Sequence, residues 1–282
     1  MSQGLSQPQN NLFVKFMGSK EVAQEFLEIN LPDDVLARLD LDSLSETGDS
    51  YVDDELKGLF SDVVYKVEFA DGADGNEGYI SFLLEHKSTP ERKTVLQLLK
   101  YMTRIWDKKY ENDDKVLPLV LPVVFYHGQP DWNEPVEFTG LMEGELEWAD
   151  YFTPDYSFYL YTLEELTAQM SEIEMAKFRI FVKILSLNRS RNKEEFMRRL
   201  KKVWKELGEY VRKTGEVAIL TVSFRYIINT TERKLASGEE IKKQAKKITP
   251  ERSDEMETIA DELIVHFKNI ISRILSRLCW VR

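Results

Sequence analysis

Two apolar runs separated by an amphipathic segment constrain the fold of this 282-residue chain most strongly. Tyr79–Lys87 begins with an almost unbroken apolar run, and Leu117–Tyr126 is apolar along its whole length, as expected of strands buried on both faces. Between them, Glu91–Lys109 carries apolar residues at helical spacing from Val95 to Trp106. A strand, a helix and a second strand in succession predict a parallel strand pair in one sheet.

The first of these strands ends in polar residues that are able to support chemistry. Tyr79–Lys87 closes with Glu85, His86 and Lys87, and because strand side chains alternate between faces, Glu85 and Lys87 share one face. A carboxylate that holds a divalent cation, beside an ammonium that orients or deprotonates water, is suited to phosphodiester hydrolysis. A Glu-x-Lys triplet alone is also common on solvated surfaces, so its meaning depends on its neighbours.

An upstream aspartate supplies a second carboxylate. Ser61–Val67 is a strand-like run, and the Gly- and Asp-rich segment Asp71–Gly78 joins it to the next strand, which predicts an antiparallel hairpin. Pairing the two strands would bring Asp62 near Glu85 and create a cation site of the Mg²⁺ type, in which water completes the coordination. Asp62 is alternatively explained as a residue that makes a local turn hydrogen bond at the start of a strand.

The order and spacing of seven blocks within residues 10–150 resemble the YhgA-like "putative transposase", or recombination-promoting nuclease (Rpn), family. Asp62 together with Glu85-x-Lys87 also resembles the signature of the PD-(D/E)XK nucleases. The blocks are Leu12–Phe16, Ala23–Pro32, Leu39–Leu41, Phe60–Tyr65, Phe82–Ser88, Leu99–Trp106, and Leu117–Gly128 followed by Trp132.

The resemblance implies an α/β fold of the PD-(D/E)XK type, a mixed sheet flanked by helices, over residues 10–150. A mainly helical, basic region would occupy residues 151–282. The implied activity is that of a DNA endonuclease that depends on Mg²⁺ (or Mn²⁺) and acts in recombination or transposition-related DNA processing. Asp62 and Glu85 would hold the metal with the backbone carbonyl of His86, and Lys87 would position and activate water.

Three further residues are candidates for supporting roles. Gln97 and Tyr101 are similar to a Gln-x-x-x-Tyr element of some nucleases of the superfamily, and we expect them beside the apolar stripe of their helix with Lys100, Arg104 and Lys108. In the same fold a glutamate of the first helix sometimes completes the metal site, which makes Glu28 a candidate. An ordinary solvated helix face is the alternative for all three residues, and it is the better explanation for Glu28. His127 follows a predicted strand and could reach the site, but a histidine at such a turn is more often structural.

Two departures from the family pattern keep other functions open. Asn10-Asn11 stand where the family usually has His-Asp, and Glu85-x-Lys87 stands where many relatives have Glu-x-Gln. One alternative is therefore a DNA-binding or regulatory protein that keeps the fold with weakened catalysis. Another is an interaction protein whose acidic half binds a basic partner.

Charge is divided unequally along the chain. Residues 1–150 hold 13 basic and 30 acidic residues, whereas residues 151–282 hold 25 basic and 19 acidic ones. The cations concentrate in Arg191–Lys213 and Lys242–Lys247, which we interpret as candidate phosphate contacts for DNA. Solvated helix faces, and acidic loops that keep the protein in solution, are the alternatives.

The remaining expectations concern location and local structure. A single cysteine, a polar N-terminus and the absence of a long apolar run predict a cytoplasmic protein without membrane association. Near-heptad apolar spacing in Leu263–Leu278 predicts a stripe that packs either against this domain or against a second copy, as in a homodimer. Asp40–Ser50 is predicted to be a loop, Tyr51–Glu55 a first strand, and the chain after Asp150 mainly helical, with Val217–Ile228 of undetermined type.

Overall fold

The structure is a computed structural model, and it describes residues 8–46, 62–70, 77–85, 90–111, 117–143 and 152–248. Residues 62 and 77–85 are described through their backbone pairing. The chain divides into two compact units, residues 1–182 and residues 183–282.

A five-stranded mixed sheet forms the centre of the first unit, with its strands in chain order. The first three strands pair antiparallel, and the third, fourth and fifth pair parallel. The hairpin and the parallel pair predicted from the sequence are therefore confirmed. The strands are β1 (Leu39–Glu46), β2 (Asp62–Phe69), β3 (Glu77–Glu85), β4 (Leu119–Tyr126) and β5 (Tyr159–Thr162).

Helices cover both faces of this sheet. The helix that follows β3 packs on one face, and aromatic side chains of the first, second and sixth helices pack on the other. Within the first unit the helices are α1 (Pro8–Met17), α2 (Lys20–Asn30), α3 (Asp33–Leu36), α4 (Thr94–Glu111), α5 (Leu163–Ala168) and α6 (Ala176–Leu185), the last of which runs past residue 182. A short 3₁₀ helix forms at Thr139–Leu141.

Helix α4 is amphipathic, and its buried stripe faces the sheet. Val95 and Leu98 pack with Val124 of β4, and further along the helix Met102 and Ile105 pack with Val64 of β2. Removing these side chains from water stabilises the fold by roughly 1.5–3 kcal/mol each. The predicted helix and its apolar stripe are confirmed, although the helix begins at Thr94 rather than at Glu91.

Aromatic contacts fix the helices on the opposite face. Phe26 of α2 meets Phe125 of β4 edge to face, at a centroid separation of 6.2 Å. Phe181 of α6 stacks on Phe16 of α1 at 5.2 Å. The Tyr65 hydroxyl of β2 donates to the Met17 carbonyl oxygen at 2.7 Å. The two faces of the sheet thus bury separate clusters, with α4 on one side and α1, α2 and α6 on the other.

A carboxylate of α2 also receives the backbone that leads into α6. Glu25 Oε1 accepts from the backbone N–H groups of Glu174 (2.5 Å) and Met175 (2.8 Å). Both N–H groups belong to the residues directly before Ala176, and a carboxylate beside the N-terminus of a helix is also favoured by the helix dipole. Glu25 therefore ties the start of α6 to a helix that lies about 150 residues earlier in the chain.

Two parts of the sheet differ from the sequence prediction. Asp40–Glu46, predicted to be a loop, lies within β1, an edge strand with an irregular register between Asp40 and Ser45. Strand β5 pairs with β4, so the sheet extends past residue 150, where the predicted core ended. Tyr51–Glu55, the predicted first strand, lies outside the described residues.

The described part of the second unit is helical. Helix α7 (Lys193–Thr214) begins at Asn192, whose side chain accepts from the Glu195 N–H, and ends at Gly215 with φ of 77°. That left-handed conformation suits glycine. Val217–Ile228, left undetermined above, lies in α8 (Val217–Thr230), and α9 (Gly238–Ile248) follows. Trp204 and Phe224 join α7 to α8 with ring centroids 5.8 Å apart.

None of the helices in the described residues has the length and apolarity needed to span a bilayer. The apolar stripe in Leu263–Leu278, on which the dimer prediction rests, lies outside the described residues.

Candidate functional site

Four strand ends meet at one edge of the sheet. The parallel strands β3, β4 and β5 end there at Glu85, Tyr126 and Thr162, and the antiparallel strand β2 begins there at Asp62. The sequence predicted Asp62 and Glu85 near one another, and the strand pairing gives both residues positions at this edge.

The register places both acidic residues on one face of the sheet. Asp62 pairs directly with Leu83, and Glu85 lies two residues further along the same strand, so positions 62, 83 and 85 share a face. Diagonal neighbours of this kind lie about 7–8 Å apart, which is within reach of longer side chains. Val64, two residues after Asp62, packs against α4, so the shared face is the one that α4 covers.

The other two members of the predicted site, His86 and Lys87, lie outside the described residues. Their predicted roles therefore remain predictions. The donors proposed for the metal are two carboxylates and one backbone carbonyl, all of them hard oxygen atoms. Mg²⁺ prefers such ligands and keeps several water molecules, so the chemistry of this donor set fits the ion.

Helix α4 places Gln97 and Tyr101 on the same side of the sheet as positions 62 and 85. Gln97 is half-buried, and its Oε1 atom is buried without a hydrogen-bond partner among the described residues. Tyr101 differs from the prediction, because it is 3% exposed and packs in the cluster of Val64 rather than beside the stripe. Lys100 and Arg104 are exposed, as predicted for the outer face of α4.

A tyrosine from a later segment fixes the first turn of α4. The Tyr156 hydroxyl donates to the Val95 carbonyl oxygen, and burial raises the pKa of Tyr156 above its ordinary value. The phenol therefore stays protonated and able to donate at physiological pH. This bond holds the part of the helix that carries Gln97 in place over the sheet.

Glu28 lies apart from the acidic positions. It belongs to α2, whose Phe26 contacts Phe125 on the face of the sheet opposite α4. Glu28 is exposed and accepts from the Gln24 side-chain amide at 3.0 Å. The structure therefore does not bring Glu28 together with positions 62 and 85, and the pattern of a solvated helix face describes it.

His127 and Thr162 complete the edge with structural contacts. His127 is buried and its ring lies 6.1 Å from that of Phe125, on the α2 side of β4. Thr162, which the sequence analysis did not consider, forms a capping box with Glu165 at the start of α5. The sequence signal for this contact is the Thr-x-x-Glu spacing.

The structure thus defines a mixed α/β protein with two acidic positions on neighbouring strands at one edge of its sheet. The sequence profile of the family described as "Putative transposase, YhgA-like" matches residues 7–215. Because that match covers most of the sequence, the chain belongs to this family.

Individual relatives carry more specific names. The chain is 34% identical over 122 residues to "Recombination-promoting nuclease RpnC" of Escherichia coli (strain K12), covering 43% of this chain and 39% of the relative. It is 36% identical over 124 residues to "Recombination-promoting nuclease RpnD" of Escherichia coli O157:H7, covering 44% and 46%. It is also 32% identical over 158 residues to "Inactive recombination-promoting nuclease-like protein RpnE" of Escherichia coli (strain K12), covering 56% and 48%.

The matched stretches span less than half the length of these three relatives. No solved structure matches the chain significantly.

Proposed function

We propose that this protein is a Mg²⁺-dependent DNA endonuclease of the PD-(D/E)XK type that acts in recombination. The observation that carries the proposal is the pairing of β2 with β3, which gives Asp62 and Glu85 positions on one face at one edge of the sheet. Similarity to relatives named recombination-promoting nucleases supports the choice of activity.

Each residue of the proposed site has a distinct task. Asp62 and Glu85 hold the metal ion, with the backbone carbonyl of His86 as a third oxygen donor. When bound, Mg²⁺ stabilises the negative charge that develops on the phosphoryl oxygens. Lys87 orients the attacking water and offsets developing charge. Gln97, whose buried Oε1 has no partner among the described residues, supports this arrangement from α4.

A supercoiled-plasmid nicking assay with Mg²⁺ or Mn²⁺ tests the proposal. The wild-type protein is expected to nick the plasmid, and Glu85→Ala to lose this activity because one metal ligand is removed. Glu28→Ala is the matched control, since Glu28 is exposed on a helix of the opposite face. Equal cleavage by wild type and Glu85→Ala would remove the site assignment.

A regulatory protein with weakened catalysis is the second candidate. Two observations favour it: Asn10-Asn11 replace the usual His-Asp pair near the start of α1, and one relative is named an inactive nuclease-like protein. Retained DNA binding without cleavage by the wild-type protein, at any tested concentration of Mg²⁺ or Mn²⁺, would favour this candidate over the endonuclease.

A further inference from the structure

The outer face of α7 carries a dense row of cations. Seven basic residues of this helix are exposed, and one of them, Lys193, pairs with Glu240. We call the other six the basic ridge: Arg198, Lys201, Lys202, Lys205, Arg212 and Lys213. At a rise of about 1.5 Å per residue, the ridge extends over roughly 20 Å. Only Glu194 and Glu209 are exposed acidic residues on this helix. The ridge is therefore strongly positive although the whole chain has a net charge of −11.

The ridge cations are largely free of ion pairs within the described residues. Lys205 lies 3.9 Å from Glu209, with both side chains mostly exposed, and exposed pairs of this kind contribute little. Two other acidic residues, one on α7 and one on α9, form ion pairs with lysines outside the ridge. Glu206 binds Lys183 at 2.6 Å, and Glu240 binds Lys193 at 2.6 Å.

Helix α9 adds cations beside the same helix. The Lys193–Glu240 ion pair joins the first turns of α7 and α9, and the two helices pack together. Lys243 and Lys247 of α9 are exposed. Two neighbouring helices of one unit thus present positive charge to solvent.

The surroundings of the ridge favour a polyanion over a membrane or an apolar protein partner. The apolar side chains of α7, among them Phe196, Leu200 and Trp204, are buried. Within residues 183–247, no large hydrophobic side chain is exposed. Helices that bind membrane surfaces insert an apolar face, and protein interfaces use aromatic anchors. The ridge offers neither, whereas phosphate groups require only cations and hydrogen-bond donors.

We propose that the basic ridge of α7 is the surface through which this protein holds the phosphate backbone of duplex DNA. The choice of DNA as the polyanion rests on the function proposed above. Contacts of this kind supply affinity and orientation without reading sequence. Any sequence preference then resides elsewhere on the protein.

The test measures binding of the full-length protein to a fluorescent duplex over a range of salt concentrations, without divalent cations so that cleavage cannot occur. The variant combines Arg198→Gln, Lys201→Gln, Lys202→Gln and Lys205→Gln. Each lost phosphate contact should flatten the slope of log affinity against log salt by about 0.9, so four contacts should flatten it by roughly 3–4. The loss should be equal for duplexes of unrelated sequence.

A charge-matched variant controls for the change in net charge. It combines Arg38→Gln, Arg225→Gln, Arg233→Gln and Lys234→Gln, four exposed cations outside α7 and α9. The control should keep the wild-type slope, and the urea unfolding midpoints of both variants should match that of the wild type. An unchanged slope in the ridge variant, or an equal change in the control, would overturn the proposal.

Additional binding measurements distinguish duplex DNA from other ligands, and they distinguish failure of this proposal from failure of the proposed endonuclease activity. If the ridge variant lost binding to phosphatidylserine vesicles but bound the duplex like the wild type, the ridge would be assigned to a membrane surface and the proposal overturned. A ridge-dependent slope on single-stranded RNA, with no binding of duplex DNA, would also overturn it. If the wild-type protein binds the duplex through the ridge and yet never cleaves it, the ridge assignment stands and the endonuclease fails.

Discussion

At the scale of single residues, hydrogen bonding decides how much a carboxylate matters. Glu25 and Glu28 lie one turn apart on α2, yet Glu25 accepts two backbone N–H groups at the start of α6 whereas Glu28 is exposed. The sequence alone does not distinguish them, because the partner of Glu25 comes from a segment about 150 residues away. Only the tertiary fold reveals which glutamate is structural.

Glu25→Ala is expected to lower the free energy of unfolding by about 2 kcal/mol, because hydrogen bonds to charged groups contribute roughly 1.5–3 kcal/mol and two backbone N–H groups lose a charged acceptor. Urea denaturation at neutral pH measures this change. Glu28→Ala, the matched control on the same helix, should change the free energy by less than about 0.5 kcal/mol. Equal effects of the two substitutions would contradict the assigned role of Glu25.

Lys87→Gln is expected to reduce the rate of DNA cleavage and to leave metal binding nearly intact. Lysine is cationic at neutral pH and is therefore not a metal ligand; its task in the proposed site is to orient water and offset charge. Isothermal titration with Mg²⁺ or Mn²⁺ and single-turnover cleavage measure the two properties separately. Loss of metal affinity in this variant would show that the lysine has a different role, and Glu85→Ala provides the comparison in which affinity should fall.

At the scale of elements, the sequence predicts those that bury a continuous apolar surface. Helix α4 and strand β4 are found close to their expected bounds because packing maintains their periodicity. Strand β1 is not predicted because its buried residues do not alternate with exposed ones. Leu39 and Leu44 are both buried although five residues apart, and the register is irregular between Asp40 and Ser45.

Short patterns and single residues are harder to predict from the sequence than long periodic segments. Strand β5 has only four residues, all half-buried, and leads directly into α5, so its pattern is too short to identify. Tyr101 is predicted beside the apolar stripe because it lies one helical turn after Gln97, but its ring is buried in the core. The neighbouring positions of Asp62 and Glu85 are predictable because only a short Gly- and Asp-rich segment separates their strands in the sequence.

The ion pair between α7 and α9 should make stability depend on pH. The hydrogen bond from Lys193 is the largest cause that lowers the pKa of Glu240 to about 2, from an ordinary value of 4.5. A carboxylate whose pKa is lowered in the folded state stabilises the fold at pH values above its ordinary pKa. This contribution is lost as pH falls from about 4.5 towards 2. Stability differences between wild type and Lys193→Met should therefore shrink between pH 5 and pH 3.

Urea midpoints at several pH values provide the measurement. Lys205→Met serves as the control, because Lys205 and Glu209 lie 3.9 Å apart and both are mostly exposed. Its difference from wild type should be small and constant. A difference for Lys193→Met that grew on acidification would show that the pair does not act as described.

At the scale of the whole molecule, the first compact unit includes more of the chain than the sequence indicated. Strand β5 completes the sheet after residue 150, and Phe178 and Phe181 of α6 are buried against the aromatic side chains of α1 and α2. A boundary at residue 150 therefore cuts through a hydrophobic core.

A fragment of residues 1–150 is expected not to fold cooperatively, whereas a fragment of residues 1–185 is. The shorter one lacks β5, Phe178 and Phe181, and each large buried side chain contributes about 1.5–3 kcal/mol. Together these losses approach the whole stability of a domain, about 5–15 kcal/mol. Thermal melting followed by circular dichroism distinguishes the two fragments. A cooperative transition in the shorter fragment would mean that β5 and α6 are dispensable.

The order of strands in the sheet bears on how the protein forms during its synthesis. Among the described residues, each strand after β1 pairs with the strand that precedes it in the chain, so each of these strands finds its partner already made when it leaves the ribosome. A growing sheet of this kind never waits for a distant strand, which limits the time that an unpaired edge is exposed to other nascent chains. The final closure comes late, when α6 emerges and the Glu174 and Met175 N–H groups reach Glu25. We therefore expect ribosome-bound chains to gain protease resistance in one late step, after α6 has left the exit tunnel.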